Sequence, residues 1–93
     1  MGLVFEWDKK KAAANLRKHQ VSFEEAATVF GDPLSLTIDD PNTHLQEERS
    51  ITVGQSFHGR TIVVVHVDRE DIVRIVSARS ATRREKKAYE ETQ

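Results

Sequence analysis

The chain contains no cysteine, so it can form neither a disulfide nor a thiolate metal site, and it suits a reducing cytoplasm. It has no apolar run long enough to span a membrane. It also lacks the basic stretch followed by an apolar segment that marks a secretory leader. No repeat or low-complexity tract interrupts it, and no glycine-rich phosphate loop, Ser-His-Asp pattern or cysteine nucleophile is present. Its two prolines both follow an aspartate and mark breaks, at Asp32-Pro33 and Asp40-Pro41. With 93 residues, 1–93 is expected to fold as a single domain around one core.

Charge of one sign is also missing, since the formal net charge is −1. Its distribution is nevertheless uneven. Residues 1–19 carry five Lys or Arg against two acids, residues 20–48 carry seven acids and no Lys or Arg, and residues 49–93 carry nine basic residues against six acids. A uniformly basic nucleic-acid binder is excluded, but the two basic segments can converge on one local patch. The alternative is ordinary solvated charge.

The first third is punctuated as two short helices. Asp8 is placed to cap a helix over about Lys9–His19, with Trp7 and Ala12 as a hydrophobic staple and Ala12, Ala13 and Leu16 facing inward. Ser22-Phe23-Glu24-Glu25 has the form of a capping box opening a helix over about Phe23–Phe30. Phe23, Ala26, Ala27 and Phe30 share one face of that helix, and Gly31 and Pro33 end it. Leu3–Glu6 is a short edge strand. Leu34, Leu36 and Ile38 alternate with polar residues as a half-buried strand, and Asp39–Asn42 is a turn. The polar segment through Glu48 is expected to be a mobile loop.

The remainder forms a meander. Ser50–Phe57, Thr61–Asp68 and Ile72–Arg79 are its strands, with His58-Gly59 and Arg69-Glu70 as two-residue turns. Thr82-Arg83-Arg84-Glu85 caps a final helix. The expected fold is α+β in the order β-α-α-β-β-β-β-α: a mainly antiparallel sheet packed by two N-terminal helices and a C-terminal helix. These turns set Arg49 opposite Asp68 and Arg60 opposite Arg79. Two facing arginines at a sheet end suit an anion, because each guanidinium presents a planar fork of donors.

Arg60, Arg74, Arg79 and Arg83 are therefore candidates for phosphate contact, against structural ion pairs with Glu70, Asp71 or Glu85. Lys86 and Lys87 belong to a solvated face. His19, beside Lys18 at the end of the first helix, can serve the helix dipole or acid–base chemistry. His66 alternates with Ile62 and Val64 as an inner-sheet histidine or a catalyst. Tyr89 either packs on the sheet or faces substrate. His19, His44, His58 and His66 lack the close spacing of a metal site.

The string Phe5-Glu6-Trp7-Asp8, Lys11-Ala12, Asn15, Lys18-His19, Val21 through Ala26 and Phe30-x-Asp32-Pro33 resembles the opening of the BrnT toxin family. Arg74 through Arg79, with Ala81, Arg83, Glu85 and Tyr89, resembles its closing signature. Gln20 departs from the pattern, since many members carry Gly there, and a left-handed cap costs more with Gln. The resemblance implies a RelE-like ribonuclease toxin of a type II toxin–antitoxin system that cleaves RNA and inhibits translation in the cytoplasm. Its implied partners are a BrnA-like antitoxin and RNA, with the ribosome as a platform. DNA would be reached only through the antitoxin, and no membrane is involved.

The chemistry expected under that resemblance is metal-independent attack of a ribose 2′-hydroxyl on the adjacent phosphate, with no cofactor. Arg60, Arg74 and Arg79 would stabilise the transition state, and Arg79→Ala would abolish toxicity. Tyr89, His19 and Lys18 would transfer protons or position RNA, with Arg83 and His66 as further substrate contacts. The competing reading is a non-catalytic module that only engages an antitoxin or nucleic acid.

Overall fold

The structure is a computed structural model that describes residues 2–41 and 48–92. Residues 42–47, within the expected loop, lie outside the described residues. Strand β1 (Val4–Glu6) leads into helix α1 (Lys9–His19), then α2 (Phe23–Thr28) and a 3₁₀ turn at Val29–Gly31. Strands β2 (Leu36–Asp39), β3 (Ser50–Gln55), β4 (Thr61–Arg69) and β5 (Ile72–Ser80) follow, and α3 (Arg83–Glu91) closes the chain. The five-stranded sheet has the order β1-β5-β4-β3-β2. It is mixed, because β1 runs parallel to β5 while the other neighbours are antiparallel.

Local chemistry accounts for the helix ends. Asp8 accepts hydrogen bonds from the amides of Lys10 at 2.8 Å and Lys11 at 3.1 Å, which satisfies donors that an α-helix leaves open. The helix stops at Gln20, whose φ of 57° is left-handed, and the Gln20 amide returns to the Leu16 carbonyl at 2.9 Å. Ser22 caps α2 by accepting from the Glu25 amide at 3.0 Å. The second half of that capping box does not form, because the Glu25 side chain turns to Ser56 and Arg60 instead. At Thr82 both halves are present: Glu85 N donates to Thr82 Oγ1 at 3.1 Å, and Thr82 N donates to Glu85 Oε1 at 2.9 Å. The second helix is shorter than its apolar spacing implied, tightening at Val29 into the 3₁₀ turn.

One face of the sheet carries the core. Val21, Phe23, Ala26 and Val29 pack on Ile62 and Val64 of β4 and on Val73, Ile75 and Ala78 of β5. Helix α1 attaches differently from the expected apolar stripe, since Ala13 is exposed and Leu16 is 50% exposed. Its one buried residue is Asn15. The Asn15 amide donates to Val21 O at 3.0 Å and Ala78 O at 2.8 Å, and its oxygen accepts from Ala78 N at 3.1 Å. Two of these bonds clip α1 to β5 at Ala78, and the third ties it to the turn before α2. Gly54 lets the 3₁₀ turn and Ser35 approach β3, because a Cβ there would come within 2.9 Å of Val29 Cγ1 and Ser35 Cβ.

The hairpin turns differ from expectation, and this moves side chains. Residues 70–71 form the β4–β5 turn, with Arg69 opposite Ile72 and Glu70 at φ 55°. A bulge between Val65 and His66 shifts the register again, so Arg79 lies opposite Val63 rather than Arg60. On the other side Ser50 lies opposite His66, which moves Arg49 away from the position facing Asp68. The β3–β4 connection runs Ser56 to Arg60, closed by Ser56 N to Arg60 O at 2.8 Å and Gly59 N to Ser56 O at 2.9 Å. Gly59 takes φ 81°, a value that suits glycine at the end of a three-residue hairpin loop. Strand β2, expected to be half-buried, is exposed along its length at the sheet edge.

Candidate functional site around Arg60

Three connections meet at the end of the sheet where β4 begins: the α1–α2 turn, the Ser56–Arg60 hairpin and the β5–α3 junction. Arg60 joins the first two. Its Nε donates to Glu25 Oε2 at 2.9 Å, and its Nη2 donates to Glu25 Oε1 and, at 3.0 Å, to the Gln20 carbonyl. Ser56 Oγ completes the set by donating to Glu25 Oε2 at 2.7 Å. The Arg60 guanidinium therefore holds the buried Glu25 carboxyl below its ordinary range, overcoming the burial that would raise it. Ala81 N bonds Thr61 O at 2.9 Å, which brings the start of α3, with Arg83 at its first position, beside the Arg60 backbone.

Arg60 is fixed rather than consumed by these bonds. A guanidinium has five N–H donors, and the two on Nη1 have no partner among the described residues. The side chain is 41% exposed. Lys18 and His19 lie in the last turn of α1, next to the Gln20 carbonyl that Arg60 holds. Of the residues singled out from the sequence, Arg60, Lys18, His19 and Arg83 come from segments that the fold brings to this end.

Four others do not join them. Arg74 lies opposite Val67, seven residues along β4 from Arg60, or about 23 Å at ~3.3 Å per residue. It contacts Glu6 at 3.2 Å, and both side chains are half-exposed. Arg79 makes a bidentate pair with Glu85, at 2.7 and 2.9 Å, on the α3 side of the sheet. Tyr89 is buried and its hydroxyl donates to Asp32, so it serves to dock α3. His66 is buried under the edge of the Phe30 ring, 4.9 Å between centroids. Its Nδ1 meets Asp68 Oδ1 and its Nε2 meets Thr52 Oγ1, each at 2.7 Å. It is thus an inner-sheet side chain in this structure. The expected gathering of Arg60, Arg74 and Arg79 therefore does not occur: they are spread over the sheet, and each meets an acid.

Two residues at the Arg60 end had no signal in the sequence. Glu25 looks like half of a capping box, and only the fold turns it toward Arg60. Phe57 looks like the last residue of a strand, but it stands at the hairpin tip, 84% exposed. Among the described residues no three His, Asp or Glu side chains gather as metal ligands. No helix there is long and apolar enough to cross a membrane.

The architecture is α+β, a mixed five-stranded sheet with three helices. The crystal structure of the Brucella abortus ribonuclease toxin, BrnT, is similar with a TM-score of 0.60 at 21% identity, covering 89% of this chain and 99% of that one. No curated protein matches the chain. Residues 7–85 match the family described as "Ribonuclease toxin, BrnT, of type II toxin-antitoxin system". The chain belongs to that BrnT family.

Proposed function

We propose that this chain is the toxin of a type II pair, a RelE-like endoribonuclease that cleaves RNA in the cytoplasm and so arrests translation. A BrnA-like antitoxin would neutralise it and link it to DNA. The observation that carries this reading is Arg60: a part-exposed guanidinium braced by a buried carboxylate and a backbone carbonyl, with the donors of Nη1 unpartnered among the described residues. Such a group is pre-organised to meet charge that develops on a phosphorane-like transition state. It needs no rearrangement when RNA binds.

In this scheme the ribose 2′-oxygen attacks the adjacent phosphorus and the 5′-oxygen leaves, giving a 2′,3′-cyclic phosphate. Arg60 Nη1 contacts a non-bridging oxygen. His19 takes the proton of the 2′-hydroxyl and returns it to the leaving 5′-oxygen, and Lys18 and Arg83 hold the flanking phosphates. No step requires a metal. Arg74, Arg79, Tyr89 and His66 are not assigned to the reaction, for the geometric reasons above.

The test is incubation of the purified protein with naked RNA in EDTA and, separately, with mRNA on translating ribosomes. Cleavage in either that leaves 2′,3′-cyclic phosphate ends, and a fall of about two to three decades in rate for Lys18→Ala/His19→Ala with unchanged thermal stability, is expected. Products with 3′-hydroxyl ends would overturn the mechanism. The absence of cleavage in both would favour the non-catalytic module, a reading helped by the pairing of Arg74 and Arg79 with acids.

A further inference from the structure

We propose that Phe57 is a stacking platform for one base of the bound RNA, set beside the phosphate contacts of Arg60. The inference rests on the RNA-cleaving reading above and adds a base-contacting residue to it. Phe57 is the most exposed large apolar residue in the described chain, at 84%. A phenyl ring left in water on a floppy loop would simply be a mobile surface residue. This one is held by its backbone. Its amide donates to Thr28 Oγ1 at 2.9 Å, and the next amide, that of His58, donates to Ser56 Oγ at 3.3 Å. The Arg60 amide also reaches Ser56 Oγ at 3.3 Å, and Ser56 Oγ donates to Glu25. The carboxylate that fixes the Arg60 guanidinium therefore also anchors the loop that presents Phe57.

The surroundings select the ligand. His58 packs edge-on against the ring, with centroids 5.9 Å apart, and Arg60 follows two residues later. A protein hot spot of this kind normally sits among apolar neighbours that exclude water. Here the flanking residues of the hairpin are Ser56, His58 and Arg60, which are polar or cationic. An aromatic face near a guanidinium is the arrangement by which proteins hold single-stranded nucleic acid, with the base on the ring and the phosphate on the charge. Phe57 also walls a shallow recess of about 340 Å³ that it shares with Thr28, Asp32 and Gln55.

Phe57→Leu, Phe57→Ala and Phe57→Trp separate stacking from bulk, and the exposure of Phe57 keeps the thermal midpoint of all three near that of the parent chain. Each is assayed for cleavage of a reporter mRNA, naked and on translating ribosomes, and for neutralisation by a BrnA-like antitoxin. Stacking is worth about 5- to 150-fold, so the Leu and Ala variants should lose cleavage by that factor. The Trp variant should stay within about 3-fold of the parent, and antitoxin neutralisation should be unchanged. Equal cleavage by Phe57→Leu and the parent chain would overturn the platform while leaving the ribonuclease reading intact. So would a loss in Phe57→Trp as large as in Phe57→Ala, or a loss confined to antitoxin binding, which would make Phe57 a protein contact. A parent chain that cleaves neither RNA would overturn both readings together.

Discussion

Asn15, Glu25 and Arg60 show how polar residues position this site. Asn15 sits where an apolar residue would be expected, and its three hydrogen bonds tie α1 to β5 and to the turn before α2. Asn15→Leu keeps the volume but strands the Ala78 amide and two carbonyls. It should cost about 2–3 kcal/mol, measured by urea unfolding. The pair of Glu25 and Arg60 behaves in a related way. Arg60→Ala leaves a buried carboxylate without its partner, which should cost about 2–3 kcal/mol of stability as well as activity. Adding Glu25→Gln to Arg60→Ala should return much of the stability and none of the cleavage. Recovery of cleavage in that double variant would take Arg60 out of the chemistry.

At the scale of elements, caps and turns do the work that short helices cannot do alone. Helix α1 ends on a non-glycine residue in left-handed backbone, and this conformation directs the Gln20 carbonyl to Arg60. Gln20→Gly should relieve about 1 kcal/mol of backbone strain, raising the thermal midpoint by several degrees with the carbonyl still in place. Helix α3 depends on its capping box and on the pair of Arg79 with Glu85, whose carboxyl is held at about 2 by hydrogen bonding from Arg79, against an ordinary 4.5. A carboxylate with a depressed value stabilises the fold above its ordinary range and loses that contribution as it is protonated. The thermal midpoint should therefore fall as pH drops from about 4.5 toward about 2, by an amount equivalent to ~1 kcal/mol for this half-exposed pair. Calorimetry on Glu85→Gln should show a flatter profile across the same window. An unchanged profile would mean that Glu85 is not the titrating group.

Taken as a whole molecule, the protein carries little net charge, −1, and a positive end made from segments distant in sequence. Only a few phosphates can be neutralised at once. If Arg60, Lys18 and Arg83 supply the contacts, the logarithm of RNA affinity should fall with the logarithm of salt at a slope of about −2, and Lys18→Ala should reduce its magnitude by somewhat under one. A slope several times steeper would place the RNA on a different and larger surface.

Helix starts, the run of strands and the apolar residues of β4 and β5 were legible in the sequence because caps and period-two alternation act over a few residues. Asp8, Ser22 and Thr82 each cap a helix where their spacing says they should. The pairing of Glu25 with Arg60 was not legible, because those residues are 35 positions apart and a capping box explains the glutamate equally well. Nor was the separation of Arg60 from Arg79. That separation turns on a hairpin displaced by one residue and a bulge at Val65/His66, and a one-residue slip sends a side chain to the other face of the sheet. What the chain by itself determined is the order of helices and strands and the inward-facing residues of β4 and β5, because hydrogen bonding and hydrophobicity act locally. Which arginine is braced by a buried carboxylate, which acids the others meet, and which aromatic ring faces water were decided only when the strands found their register, because those contacts join residues that nothing local connects.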